Sequence, residues 1–297
     1  MPVLLRHIRY FLAVAEQKNF TRAAEALHVS QPTLSQQIRQ LEDTLGTPLF
    51  DRSGRTVHLT DAGEAWMRYA KLALQDLDAG VRAIHDVAEL SRGSLRFAVT
   101  PTYTASLVGP IVDDFHQLHP GIRIDIRELT QDQMEAQLAD DKLDIGVAFH
   151  PAFSADIESQ SLFEETLSLV VGHSHPRASR RRALAGRDFG KEPLVLLNDT
   201  FATRRFIDEH FARHAIRPLV AIEVDTIGAI VEIVRRGQLA TVLPDHIARV
   251  QEGLHPVPLD PPLPTRTAAV LERKGGYRTA ASRAFLKLLT DRFGKST

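Results

Sequence analysis

The sequence predicts a multidomain α+β protein: a small helical domain with a hairpin, one long helix, and a larger α/β region. Three observations predict it. Residues 1–60 carry three short helical patterns and a hairpin signal, residues 60–90 carry an apolar 3,4 repeat, and residues 93–297 alternate strand and helix signals. At 297 residues the chain also exceeds the usual single-domain length of about 100–200 residues. The expected segments are 1–60, 61–92 and 93–297.

The first helix places Ile8, Phe11, Leu12 and Ala15 on one buried face. Thr21 is the expected N-cap of the second, which carries Ala24 and Leu27 and leaves through His28 and Val29 into a tight connection. Ser30 caps the third, Pro32 fits its first turn where a missing N–H costs nothing, and Leu34, Ile38, Leu41 and Leu45 form its apolar stripe. Gly46 and Pro48 stop it. Residues 49–52 and 56–59 flank Ser53-Gly54 and read as a hairpin with arginines at its tip, which makes the arrangement a winged helix-turn-helix.

From Thr60 onward, Trp66, Ala70, Ala73, Leu77, Val81, Ile84 and Ala88 are spaced by threes and fours, a seam that a single helix cannot bury alone. The spacing drifts near Gly80, so a helix pair with a local stutter is expected, and with it a homo-oligomer. Strand signals then fall at 95–99, 122–129, 143–149, 194–197, 222–224, 240–243 and 265–272, separated by helices, and imply mainly parallel sheets in a two-lobed region. A last amphipathic helix carries Ala284, Phe285, Leu288 and Leu289.

Composition narrows the functions. With 43% hydrophobic and 25% charged residues the chain is expected to fold as a globular protein without staples. The absence of cysteine excludes disulfides, thiolate metal sites and thiol redox sensing. Arg6, His7 and Arg9 interrupt the N-terminal apolar stretch and no run approaches the roughly 18 apolar residues of a membrane span, so a cytoplasmic location is expected. A formal net charge of -1 gives no basic excess, so any DNA contact must rest on local geometry. The run Arg177, Arg180, Arg181 and Arg182 reads as a solvated loop.

In a helix-turn-helix the second helix of the pair enters the major groove with its N-terminal polar residues on base edges. Those residues here are Gln31, Thr33, Ser35, Gln36 and Arg39. Glutamine pairs with adenine, arginine prefers guanine, and Pro32 can contact a thymine methyl. The alternative is an ordinary amphipathic helix with a solvated polar face. The compact connection and the hairpin arginines Arg52 and Arg55, expected on phosphate or in the minor groove, favour the docking surface.

The run FTRAAEALHVSQPTLSQQIRQLEDTLGTPLFDRSGRTVHLTDAGE, from Phe20 to Glu64, resembles the reader, wing and linker helix of the LysR-type transcriptional regulators. GSLRFAVTPT, FHQLHPGI and LDIGVAF resemble that family's sensor domain, so the likeness covers essentially the whole chain. It implies a double-stranded promoter DNA partner, an oligomer, contact with RNA polymerase, and a periplasmic-binding-protein-like effector domain of two Rossmann-like subdomains. The chain crosses between these twice, giving one lobe of 93–162 with 269–297 and another of 163–268. QKNFTRAAEALHVSQPTLSQQIRQLE, AIHDVAELSRGSLRFAVTPTYT and NDTFATRRFIDEH are similar to the family's activators of cyanate breakdown; this implies cyanate as inducer, activation of cyanate-degradation genes and repression of its own gene.

The resemblance carries the effector cleft to Thr100, Thr102, Tyr103, Thr130 and Phe149 in one lobe and Phe201, Thr203, Asp225 and Thr226 in the other. These fall at strand ends, where open α/β sheets bind ligands, and hydroxyls followed by helix starts suit a small anion. Threonines at strand ends are also common helix caps without a ligand. Asp225 is awkward for an anion and is either turned away or paired with an arginine such as Arg204.

No cofactor, metal or catalytic residue is expected. His173 and His175 lie two apart before Pro176 without carboxylate or cysteine company and read as a surface turn. Asp140, Asp141 and Asp144 read as a helix end, not as paired catalytic carboxylates. A solute-binding protein would share the two-lobed architecture, but the missing export signal and the attached reader argue against it.

Overall fold

The computed structural model describes residues 2–54, 56–86, 93–179 and 183–294. It divides into two compact units, Met1–Ile84 and His85–Thr297. Among the described residues no helix is long and apolar enough to cross a membrane.

The first unit is built from α1 (Leu5–Gln17), α2 (Phe20–Ala26), α3 (Gln31–Leu45), a hairpin of β1 (Phe50–Asp51) and β2 (His58–Leu59), and α4 (Asp61–Asp86). Phe11, Val14, Leu34, Ile38, Leu41 and Leu49 form its core. The fully buried face of α1 is His7, Phe11 and Val14, with Ile8, Leu12 and Ala15 only half-buried on its flank. Asn19, not Thr21, caps α2, its Oδ1 accepting the N–H groups of Thr21 and Arg22 at 2.9 and 3.0 Å. The helix begins two residues earlier than expected, which puts Thr21 inside its first turn and a strong capping amide just outside.

Ser30 caps α3, Pro32 sits in its first turn, and Gly46 ends it at φ 72°. Gly63 lets α4 lie against the hairpin: a Cβ there would stand 2.1 Å from the Leu49 carbonyl oxygen. Along α4, Ala70 and Ala79 are buried, whereas Leu77, Val81 and Ile84 are 52%, 57% and 74% exposed, so the later part of the expected seam has no cover within the unit. Ala88 lies outside the described residues.

The second unit contains two five-stranded sheets. Its elements are β3 (Gly93–Val99), α5 (Pro101–Tyr103) running on through a π turn, α6 (Gly109–Leu118), β4 (Ile122–Glu128), α7 (Gln131–Ala139), β5 (Ile145–Phe149) and β6 (Ile157–Glu165). The chain then crosses to β7 (Leu167–Gly172), β8 (Leu184–Ala185), α8 (Gly186–Phe189), β9 (Pro193–Leu197), α9 (Ala202–Arg213), β10 (Leu219–Val224), α10 (Ile227–Arg236), β11 (Ala240–Pro244), α11 (Asp245–Val250), β12 (Leu254–Val257) and β13 (Leu259–Asp260). It returns as β14 (Arg266–Arg273) and closes with α12 (Ala280–Phe293).

The first-lobe sheet has the order β4-β3-β5-β14-β6, and the second-lobe sheet β10-β9-β11-β7-β12. Three neighbouring strands of each are parallel; β14 and β6, and likewise β7 and β12, add antiparallel pairs where the chain crosses between lobes. The sheets are therefore mixed, and β6, β7, β8, β12 and β13 are additions to the strands read from the sequence. Both crossings also lie three residues from their expected places, because Arg266 pairs with Glu165 in the β14–β6 ladder and keeps both residues in the first-lobe sheet. Leu95, Phe97, Ile111, Phe115 and Phe285 anchor the first-lobe core. Leu169, Leu194 and Phe211 cover one face of the second-lobe sheet, and Val170, Val195 and Val234 the other.

Candidate DNA-reading face and effector cleft

On α3, Gln31, Pro32, Thr33, Gln36 and Arg39 are exposed and Ser35 is half-buried, so the expected base-reading residues share the solvent side of one helix. Gln31 Nε2 donates to Ser35 Oγ at 2.9 Å, and the Ser30 and Thr33 hydroxyls are 2.7 Å apart. These bonds hold short polar side chains in place before any base is met.

Arg52 is not a free wing cation. Its Nη2 donates to Glu42 Oε2 at 2.7 Å, and its guanidinium carbon lies 5.1 Å from the Phe20 ring centre. The Glu42 Oε1 atom also accepts the N–H groups of Leu49 and Phe50 at 2.9 and 3.3 Å, which ties β1 to α3. A phosphate would have to compete with that carboxylate. Arg55 lies outside the described residues.

In the second unit, Thr100, Thr102, Thr130, Phe149, Phe201 and Thr203 line one cavity together with Pro101, Gln131 and Ala202. They reach it from the strand-to-helix turns after β3, β4 and β9, which expose backbone and short side chains, and from Phe149 at the end of β5. The cavity is nearly closed, with a volume of about 10 Å³, room for one water. The Thr100 and Thr102 hydroxyls are buried there without a hydrogen-bond partner.

Three residues expected at the cleft do not line this cavity. Tyr103 is fully buried, with its ring 5.4 Å from Phe149 and stacked at 6.2 Å on His246. Burial, and next to it the charge of Glu165, pushes its phenol well above the usual range. Thr226 caps α10, its Oγ1 accepting the Ala229 N–H at 3.1 Å, which is the plain capping role. Asp225 is exposed, and Arg204 pairs with Asp208 at 2.9 Å and Glu223 at 2.6 Å.

Sequence reasoning missed Gln131, Arg266 and Glu165. Gln131 is buried and clamps the end of β5: its Oε1 accepts the Phe149 N–H at 3.3 Å and its Nε2 donates to the Phe149 carbonyl at 3.0 Å. Arg266 stacks on Phe149 at 3.9 Å, pairs with the buried Glu165, and donates through Nη1 to Thr203 Oγ1 at 2.9 Å. The available signal was a charged residue at the first position of a strand whose middle, Ala268 to Leu271, is apolar.

The other clusters hold structure. Asp144 accepts from the Arg96 backbone at 2.7 Å and from its guanidinium at 2.6 Å. His173 is exposed, but His175 is buried, a departure from the expected surface turn: its Nδ1 accepts the Arg177 N–H at 3.1 Å while Arg177 pairs with Glu192. Among the described residues no group of three His, Cys, Asp or Glu side chains could hold a metal. Arg180, Arg181 and Arg182 lie outside the described residues.

A helix-turn-helix with a hairpin wing, joined in one chain to a two-lobed α/β unit with a cavity at its strand ends, defines a DNA-binding regulator with a ligand-sensing domain. Comparison with known proteins gives the same class. Residues 5–64 match the model of the lysR-family bacterial regulatory helix-turn-helix protein, and residues 88–294 match that of the LysR substrate binding domain. The chain is 32% identical to the uncharacterized HTH-type transcriptional regulator YwbI of Bacillus subtilis, over 95% of this chain and 94% of the relative. It is 30% identical to the Hca operon transcriptional activator HcaR of Escherichia coli, over 99% of each. Full-length OxyR of Pseudomonas aeruginosa superposes with a TM-score of 0.68 at 25% identity, covering 98% of this chain and 94% of that one. The chain belongs to the LysR family. It is a DNA-binding transcriptional regulator with an effector-binding domain, not an enzyme.

Proposed function

We propose that this regulator binds promoter DNA as an oligomer and is switched by a small anion entering the cleft between the lobes. The observation that carries this reading is the convergence of Thr100, Thr102, Thr130 and Thr203 on one cavity, two of their hydroxyls buried and unpartnered. Buried hydroxyls beside the helix starts that follow β3 and β4 suit an anion of few atoms, for which the cavity must widen slightly. The exposed Leu77, Val81 and Ile84 on α4 support pairing of two copies through that helix. Effector entry then alters lobe orientation, subunit spacing, DNA bend and contact with RNA polymerase.

Cyanate is the first effector to test, on the likeness to regulators of cyanate breakdown; activation of those genes and repression of its own gene follow from the same likeness. A three-atom ligand at a ceiling near 1.5 kcal/mol per heavy atom gains at most about 4.5 kcal/mol, so roughly half-millimolar binding is the tightest expected. A second reading is supported by the adjoining 370 Å³ pocket walled by Phe149, Phe153, Phe206, Arg205 and Arg266, which suits an organic acid of another pathway. Calorimetric titration with cyanate, small anions and aromatic acids separates the two. Saturable, cyanate-selective heat upholds the first; selective binding of an organic acid replaces it with the second.

A further inference from the structure

Where the chain crosses from β6 to β7 there is another cavity, of about 380 Å³, to which none of the nine residues expected at the effector cleft contributes. Its walls include Phe163, Glu164 and Glu165 at the crossover, Asp245 and His246 of α11, and Phe293 of α12. The Asp245 N–H donates to the Thr166 carbonyl at 3.0 Å and so holds the start of α11 against the crossover. The volume lies in the range of about 300–1,000 Å³ typical of sites for small organic ligands.

Three buried polar atoms on this wall have no hydrogen-bond partner, Glu165 Oε2, Asp245 Oδ1 and His246 Nε2, and the buried Tyr103 hydroxyl beside Glu165 is likewise unpartnered. Glu165 is only 4% exposed, and its other oxygen is held by Arg266. His246 Nδ1 stands 3.7 Å from Glu165 Oε2, beyond hydrogen-bonding distance. Native proteins rarely leave buried polar groups unpaired; the Tyr103 hydroxyl can fill one acceptor position of Glu165, and the acceptors left on Glu165 and Asp245 mark a place where a ligand completes the pairing.

The chemistry of the wall selects the ligand. Ionised carboxylate oxygens only accept hydrogen bonds. Burial pushes the His246 imidazole below its ordinary value, so at neutral pH it adds no positive charge. Glu164, Glu165 and Asp245 face two permanent cations: Arg266 behind Glu165, and Arg249, which is 75% exposed and 3.9 Å from Asp245. One negative charge is left over. Phe163 and Phe293, with ring centres 5.8 Å apart, add apolar surface and ring faces that attract cations.

We infer that the crossover pocket binds a small organic monocation, a primary amine whose ammonium group lies between Glu165 and Asp245 and whose apolar body rests on Phe163 and Phe293. The site is separate from the anion cleft and opposite to it in charge preference.

The test is calorimetric titration of the full-length protein at pH 7 with benzylamine and n-butylamine, using benzyl alcohol and benzoate as controls. Saturable heat with an amine and none with either control is expected, together with at least tenfold weaker amine binding in Asp245→Asn. Phe293→Leu serves as a second variant should Asp245→Asn not fold, and is expected to weaken benzylamine more than n-butylamine. No saturable heat with either amine, equal binding of benzyl alcohol or benzoate, or less than tenfold loss in folded Asp245→Asn overturns the inference. If only Phe293→Leu folds, equal or no loss of the two amines overturns it.

Discussion

Arg266 Nη1 donates to Thr203 Oγ1 at 2.9 Å, so the first residue of a first-lobe strand holds the first turn of a second-lobe helix. The same guanidinium neutralises Glu165, whose side chain is 2% exposed. Removing one partner of a buried pair leaves an uncompensated charge, which typically costs about 3–5 kcal/mol. Arg266→Ala is therefore expected to destabilise the second unit by about that amount, and Arg266→Lys by less, since lysine keeps the charge but loses the fork and the stack on Phe149. Urea denaturation reads the difference, and an Arg266→Ala midpoint equal to the parent's would sink the argument.

Glu42 and Arg52 give the wing two separable roles. If Arg52 is poised for phosphate, Glu42→Gln frees it, and binding to any duplex tightens with a steeper salt dependence. Arg52→Ala is expected to weaken all sequences alike and lower the salt slope by about one unit. Should Glu42→Gln instead weaken binding, Arg52 serves the fold of the hairpin and not the phosphate. Fluorescence anisotropy at several salt concentrations decides this.

On α3 the Gln31–Ser35 bond must yield if either side chain reads a base, and each lost base contact is worth about 1–3 kcal/mol of discrimination. Gln31→Ala and Ser35→Ala are expected to relax the preferred operator sequence while leaving affinity for unrelated DNA nearly unchanged. Selection from a randomised oligonucleotide pool checks this, and two unaltered consensus sequences would move the reading face elsewhere.

The reader was legible in the sequence because its signals are local. Ser30, Pro32 and Gly46 mark the ends of α3 by capping chemistry that needs no tertiary partner. The parallel strands β3, β5, β9 and β11 stood out as apolar runs for the same reason. β6 alternates exposed charge with buried residues and β7 follows it after one residue, so no turn signal separates the two lobes. Of the expected cleft residues, Asp225 and Thr226 are exposed just past the end of β10 and do not line the cavity. The roles of Arg266 and Gln131 come from partners more than 15 residues away on other elements, Thr203 of α9 and Phe149 of β5, which no local pattern names.

Acid is expected to loosen this protein before its carboxylates titrate. Burial pushes His7, His175, His210 and His246 below the ordinary imidazole value of about 6.5. In each case the unfolded chain takes up a proton at a higher pH than the folded one does. Stability rises with pH wherever the unfolded state binds more protons, so these groups contribute nothing above about pH 7.5 and an increasing penalty as pH falls through about 6.5. Glu272 acts the other way: burial raises its carboxyl despite Arg278, so the folded state gains a proton first and part of the loss is offset as pH nears the carboxylate range. His210→Gln removes one of the four without touching either cavity, and is expected to flatten the dependence of the urea midpoint on pH between about 7 and 5.5. The parent protein holding a constant midpoint across that interval would mean that the four imidazoles titrate alike in both states.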